Sequence, residues 1–348
     1  MFFKTDLDRS DKDERREEDA VKTMILTRSD IARILTPELA NVAVEQAFLA
    51  YGSGLADMPA KSYLLFAHGD LRSMPAYIHG QDLEAAGLKS VTVHPDNRAH
   101  GLPTVMAVVI LVDPSNGVPL AIMDGTCLTD LRTGAAGALA AKLLSRKETR
   151  RAGFVGCGAQ ARTQLSCTML VRRLDMIKVW QHSQVSGSAQ KFAAWAGDSF
   201  GIKTEVFTEI DEVTTGVDLL VTTTPSREPL VRTVSSGTHI NAMGADAQGK
   251  REISAGLLKK CKIIVDNWTQ AVHSGEINVP FKKGLIRRED VHAELGQVVS
   301  GRLPGRAGFR EITLFDSTGL AIQDMACALV VYKALKDQKD SRQVDFLT

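Results

Sequence analysis

Arg151-Ala-Gly-Phe-Val-Gly-Cys-Gly-Ala-Gln-Ala161 is the stretch on which the reading of this 348-residue chain turns. An apolar run breaks into glycines and then into helix-forming residues, the pattern of strand, tight turn and helix. Gly156 and Gly158 let the backbone turn sharply and approach a ligand, and Ala161 is small enough for the new helix to pack on the strand. The free N–H groups at the helix start face the place a pyrophosphate would take. A lone Gly-x-Gly-x-x-Ala is weak evidence. Its context strengthens it: Ile177, Val179 and Trp180 alternate with Lys178 before the polar exit Gln181-His182-Ser183. The two runs and the helix between them make a βαβ unit of dinucleotide-binding length, so NAD or NADP is the expected cofactor, with Gln181, His182 and Ser183 beside the ribose.

Working outward from this unit, 203–207, 218–223, 239–243 and 262–265 each read as a strand ending in a polar or glycine-rich loop. Strands alternating with helices imply a parallel sheet with right-handed crossovers, whose ligands bind at the carboxyl ends of the strands. Thr222-Thr-Thr-Pro225 and Asn241-Ala-Met-Gly-Ala-Asp246 lie at those ends. Upstream, residues 61–112 alternate in period two, through Tyr63-Leu-Leu-Phe, Met74-Pro-Ala-Tyr-Ile, Ser90-Val-Thr-Val-His and Val105–Val112, as successive strands of one mixed sheet. Before them come a short strand at Ile25 and Leu26, a cap region at 27–30, and a helix with Ala40, Val44, Ala47 and Phe48 at helical spacing. Residues 134–144 are alanine-rich and helical, carrying the chain into the second domain. A strand at 311–315 and a helix to Leu335 follow the nucleotide fold and return toward the first domain. Residues 1–22 alternate acids and bases without an apolar stripe and read as a flexible tail.

Composition narrows the function. With 42 Lys and Arg against 41 Asp and Glu, the formal charge of +1 gives no global field for nucleic acid or an acidic membrane. Small molecules are the expected partners. The longest apolar run, Val105–Val112, is too short to span a bilayer, and the N-terminus is charged rather than signal-like, so the cytoplasm is the expected location. Five cysteines, odd in number and without C-x-x-C spacing, read as free thiols rather than a disulfide framework or zinc site. No His or carboxylate cluster has metal-ligand spacing, and no metal is expected.

Four charged positions are candidates for chemistry. Lys61 and Arg72 read either as a cationic pair for a substrate carboxylate, Arg72 by a planar two-point contact, or as solvated surface charges. Lys89 stands between Leu88 and the run Val91 to Val93, where burial and neighbouring cations would lower its proton affinity toward a value useful for proton transfer; a snorkelling structural lysine is the alternative. Asp246 caps a turn or faces the cofactor from a strand end.

Several loops taken together resemble one family: Met58-Pro-Ala-Lys61, Gly69-Asp-Leu-Arg-Ser-Met-Pro-Ala76, Gly87-Leu-Lys89 before His94-Pro, Leu102-Pro-Thr-Val105, Met123-Asp-Gly125, Leu131-Arg-Thr-Gly134, the glycine turn, Asn241 to Asp246 with Gly249-Lys250, and Phe315-Asp-Ser-Thr-Gly-Leu-Ala-Ile-Gln-Asp324. They resemble the ornithine cyclodeaminase and mu-crystallin family, and within it the archaeal type of alanine dehydrogenase. The resemblance implies an α/β fold in which a Rossmann dinucleotide-binding domain (134–311) is enclosed by a discontinuous α+β substrate-binding and dimerisation domain (23–133 and 312–348), in a homodimer. It implies reversible NAD- or NADP-dependent oxidative deamination of a small L-amino acid, alanine to pyruvate and ammonium above others. Lys61 and Arg72 then hold the carboxylate, Lys89 moves protons, and Asp246 assists with water or ammonium. The family likeness puts Arg132 on the cofactor phosphates, and makes Thr104, Ala159, Gln160, Thr222, the strand end Ile240, Asn241, Ala242 and Met243, Lys250 and Ser317 cofactor-lining. An ornithine cyclodeaminase, closing a ring with no net reduction of cofactor, and a mu-crystallin-like ketimine reductase or ligand-binding protein are the alternatives. The similar dehydrogenases carry an aspartate at the exit where this chain has Gln181-His182-Ser183, so tolerance of NADP(H) is expected.

Overall fold

A computed structural model describes residues 22–80, 83–182, 187–338 and 342–346. The tail expected over 1–22 lies outside the described residues apart from Lys22, and so does Ser183. The first sheet is built from β1 (Lys22–Leu26), β2 (Ala56–Asp57), β3 (Ser62–Phe66), β4 (Gly69–His79), β5 (Glu84–Val93), β6 (Val105–Val112) and β7 (Pro119–Asp124). The second contains β8 (Arg151–Val155), β9 (Met176–Trp180), β10 (Lys203–Phe207), β11 (Leu219–Thr222), β12 (His239–Ala242), β13 (Cys261–Val265), β14 (Val291–Glu294) and β15 (Ile312–Asp316), and β16 (Gln343–Asp345) returns to the edge of the first. The first sheet runs β16-β1-β7-β6-β5-β4-β2 with β3 also on β4; β1 and β7 are parallel and the central pairs antiparallel, a mixed sheet as the period-two pattern predicts. Alternation decides its faces: Ala107, Val109 and Leu111 of β6 point into the core, and on β5 so do Val91, Val93 and, in the same register, Lys89.

The second sheet is parallel throughout, in the order β10-β9-β8-β11-β12-β15-β13-β14. Here the structure corrects the expected domain boundary at 311/312. β15 does not open the returning segment; it lies between β12 and β13 in the middle of the nucleotide sheet. Thr313, Leu314 and Phe315 are buried whichever way they point. A strand covered on both faces belongs inside a parallel sheet, not at an antiparallel edge. The chain therefore turns back toward the first sheet only after Asp316.

Helices α1 (Arg28–Ile34), α2 (Pro37–Gly52) and α3 (Gly125–Leu144) precede the glycine turn. After it come α4 (Ala159–Met169), α5 (Ser188–Phe200), α6 (Ile210–Thr214), α7 (Ala255–Leu258), α8 (Trp268–Ser274), α9 (Asn278–Lys282), α10 (Leu295–Val299) and α11 (Ala321–Leu335). The alanine-rich helix begins at Gly125, earlier than the expected 134, because the Asp124 carboxylate caps it by accepting from Thr126 N and Cys127 N at 3.0 and 3.1 Å. The expected boundary at 133/134 thus falls inside one continuous helix. Gly134 lets α3 lie directly on α4: a Cβ there would stand 2.6 Å from the Thr163 carbonyl oxygen. α11 is buried along nearly its whole length and packs against α2, α3 and the inner face of the first sheet. Among the described residues no helix is long and apolar enough to cross a membrane.

Candidate active site

The glycine turn has the conformation its sequence demands. Gly156 takes φ +117°, and a Cβ on it would sit 2.5 Å from Thr223 Oγ1. Gly158 is the N-cap of α4, without a side-chain cap and with open space where a Cβ would be. The first amides of α4 are thus left for a ligand. Thr223 Oγ1, Gln160 Oε1 and Ser317 Oγ are buried without a hydrogen-bond partner, and buried polar atoms of this kind call for one. The donors, the open glycine edge and these orphaned oxygens fit a dinucleotide. Gln160 Nε2 donates to Asp130 Oδ1 at 2.8 Å, tying the turn to α3. At the end of β9, Ala189 N donates to Gln181 Oε1 and the His182 ring packs edge-on to Trp180. Burial pushes the Cys157 thiol up to about 11, leaving it protonated beside the Trp180 carbonyl.

Other residues expected at the cofactor are enclosed in this structure. Thr222, Ile240, Asn241 and Ala242 are 0% exposed and offer a ligand no surface. The Thr222 hydroxyl donates to Glu252 Oε2 at 2.7 Å, and Asn241 Nδ2 donates to the Gly137 carbonyl at 2.9 Å. Strand ends in a parallel sheet invite a cofactor reading, but here the Thr222 side chain turns to the buried Glu252 and that of Asn241 to the alanine-rich helix. Met243 lies at the strand end, 7% exposed. Thr104 sits at the β5–β6 connection, where its carbonyl accepts from His94 N.

A second cluster forms where α11 meets the first sheet. Lys89 Nζ lies 2.7 Å from Asp324 Oδ2, with side chains 1% and 0% exposed, and donates to Thr129 Oγ1 at 3.4 Å. Arg132 donates from Nε to Asp324 Oδ1 at 3.0 Å and from Nη1 to Gln323 Oε1 at 2.9 Å. Arg132 was expected on the cofactor phosphates; these bonds instead commit its guanidinium to the Lys89 cluster. Burial first, then Arg132, pulls the Lys89 ammonium down to about 7, against the opposing charge of Asp324.

The remaining charges bridge the two sheets. Arg72, on β4, donates from Nε to Asp70 at 2.6 Å and from Nη1 to Asp246 Oδ2 at 2.9 Å, while Lys250 donates to Asp246 Oδ1 at 2.5 Å. Two expectations change here: Arg72 is not a bare cation, and Lys250, expected beside the cofactor, holds Asp246. Enclosure disfavours the Asp246 charge, but Lys250 and Arg72 outweigh it and hold the carboxyl well below its usual range. Lys61 donates to the neutral Thr318 carbonyl at 2.6 Å; burial lowers it to about 8 despite the attraction of Asp266. Asp266 in turn accepts from Thr318 N and Gly319 N, fixing the loop after β15.

Sequence reasoning gave no role to Asp324, Gln323 and Asp70, which it met only inside the family's loops, and did not single out Asp266. The first two carried a signal: a Gln-Asp pair in the otherwise apolar run Ala321-Ile-Gln-Asp-Met-Ala-Cys-Ala-Leu-Val-Val331 is buried by helical periodicity and therefore needs partners.

A parallel sheet with an open glycine turn, joined through one helix to a buried lysine paired with Asp324 beside Arg132, is the architecture of a dinucleotide-dependent α/β protein. The chain belongs to the ornithine cyclodeaminase/mu-crystallin family, whose sequence pattern matches residues 21–339. It is 48% identical over 328 residues to an alanine dehydrogenase of Archaeoglobus fulgidus, covering 94% of this chain and 99% of that one. Its fold is similar to an archaeal alanine dehydrogenase dimer with bound NAD, at TM-score 0.89, 48% identity and coverage of 94% and 100%. It is also similar to the Thermococcus litoralis Δ1-pyrroline-2-carboxylate reductase in complex with NADH and L-proline, at TM-score 0.88, 36% identity and coverage of 92% and 100%.

Proposed function

We propose that the protein is an NAD- or NADP-dependent oxidoreductase acting at the Cα–N bond of a small L-amino acid, interconverting L-alanine with pyruvate and ammonium, as a homodimer. The observation that carries this reading is Lys89: an amine buried between the first sheet and α11, 2.7 Å from Asp324, with proton affinity near neutrality, both gives and takes a proton at working pH. α3 joins it to the cofactor end, since Asp130 holds Gln160 at the glycine turn and Arg132, two residues on, holds Asp324. The nicotinamide, when bound, supplies or accepts the hydride at Cα. Gly156, Gly158, Ala159 and Gln160 hold the pyrophosphate end, with Gln181 and His182 beside the ribose. Lys61, which donates to the neutral Thr318 carbonyl and has Asp266 as its nearest counter-charge, takes the substrate carboxylate with Arg132 close behind, Lys89 moves the amino proton, and Arg72 and Lys250 hold Asp246 ready to orient water or ammonium.

Purified protein is incubated with each oxidised cofactor and a panel of L-amino acids, and reduced nicotinamide is followed by absorbance. Net reduction with alanine is expected. The likeness to a pyrroline-carboxylate reductase favours one second reading, reduction of a preformed cyclic imine; cofactor oxidation by Δ1-pyrroline-2-carboxylate but not by pyruvate with ammonium would decide for it. Proline formed from ornithine, detected by mass spectrometry, would decide for a cyclodeaminase.

A further inference from the structure

We propose that Asp324 is the positioning residue of this site: set between Lys89 and Arg132 in the first turn of α11, it orients the Lys89 amine and sets how readily that amine keeps its proton. The inference deepens the proposed function and rests on Lys89 as the proton carrier. Each carboxylate oxygen is committed to a different cation, Oδ2 to Lys89 at 2.7 Å and Oδ1 to Arg132 at 3.0 Å, so the group cannot rotate without losing one of them. Gln323 fixes the third side, accepting from Arg132 Nη1 at 2.9 Å and from Leu320 N at 3.3 Å. The side chains of Lys89 and Asp324 are sealed from solvent and that of Arg132 is 7% exposed, so little water screens their charges. The helix N-terminus favours an acid at this position.

The charges that face Lys89 are Arg132 from α3, Lys61 from the segment before β3, and Asp324 from α11; Asp324 faces Lys89, Arg132 and the Cys327 thiol one turn along. Asp324 alone among these favours the ammonium form. Without its charge the amine faces two cations and sheds its proton at lower pH. In deamination the free amine is the active form, so activity rises with pH through the proton affinity of Lys89, and Asp324→Asn moves that rising limb downward by at least about one pH unit, tenfold in affinity. In the reverse direction the ammonium is the active form, and the falling limb moves the same way.

The test is the pH profile of kcat/KM in both directions for wild type, Asp324→Asn and Asp324→Glu. Asp324→Asn should shift the limb, and Asp324→Glu, which keeps the charge but displaces the amine, should leave the limb in place and lower kcat. A limb that stays put in Asp324→Asn overturns the proposal, even if kcat falls. Should Asp324→Asn fail to fold, Asp324→Glu decides, and wild-type kcat with a wild-type limb overturns it. A 13C NMR titration of Lys89 Cε, assigned with Lys89→Met, needs no turnover. A downward shift in Asp324→Asn with no amino acid oxidised would sink the proposed function and leave the positioning role standing.

Discussion

At position 89 the fold encloses an amine that in water would stay charged to about pH 10.5, and Asp324 and Arg132 bind each other beside it. Lys89→Met therefore removes the amine without stranding a charge. The variant should fold and bind cofactor normally while turnover falls about 10²–10⁴-fold, the usual contribution of an acid–base group. Cofactor titration by nicotinamide fluorescence and steady-state rates check this, and turnover within tenfold of wild type would make Lys89 structural. The same residue leaves a mark on stability. Its folded proton affinity, about 7, lies below its unfolded value, so between about pH 7 and 10.5 the unfolded chain holds a proton that the folded chain has shed. Stability then rises with pH across that window, and below it the cost of the buried charge is present in full. Urea midpoints should show the difference between wild type and Lys89→Met growing in favour of wild type from pH 7 to pH 10.

Two elements carry the cofactor contacts of the proposed function. In the β8–α4 turn, an alanine at 156 would bring a Cβ within 2.5 Å of Thr223 Oγ1 and 3.0 Å of its carbonyl oxygen, at a φ of +117° that side chains avoid. Gly156→Ala should cost about 1–3 kcal/mol and weaken reduced-cofactor binding at least about tenfold, the equivalent of 1.4 kcal/mol. Fluorescence titration reads it, and unchanged binding would mean that the turn does not cradle the pyrophosphate. At the exit of β9 the chain offers Gln181 and His182 in place of an acid, so the described residues of this exit carry no negative charge to repel a 2′-phosphate. NADP(H) should be used as well as NAD(H). A thousandfold preference for NAD in kcat/KM would show that some other group reads the ribose.

Across the whole molecule, Arg72 of the first sheet and Asp246, in the loop that follows β12 of the second, form an ion pair that ties the two halves together, reinforced by the Asn267 amide donating to Tyr51 Oη at 2.7 Å. Arg72→Met would leave Asp70 and Asp246 facing each other without the cation between them. Breaking a fully buried pair costs about 3–5 kcal/mol, and the cost is smaller here because Asp246 is 31% exposed. The variant should unfold at lower urea than wild type, regain part of the loss in high salt, and show a raised KM for the amino acid. A midpoint equal to wild type at low salt would show that this tie contributes nothing.

The nucleotide fold was legible in the sequence because its signals are local: the glycine turn, the apolar runs that become β8 to β13, and the period-two strands that place Lys89 on the same face as Val91 and Val93. The family's ordered loops likewise placed Lys61, Arg72, Lys89 and Asp246 as candidates. What only the tertiary structure decided is which charges meet. Asp324 lies 235 positions from Lys89 and 192 from Arg132 along the chain, and no spacing rule links them. Their pairing follows from α11 lying on the inner face of the first sheet. The place of β15 in the nucleotide sheet and the burial of Thr222 and Asn241 are of the same kind. So short a run as Ile312 to Asp316 carries no mark of which strands it will pair with, and it is packing on both of its faces that fixes its place.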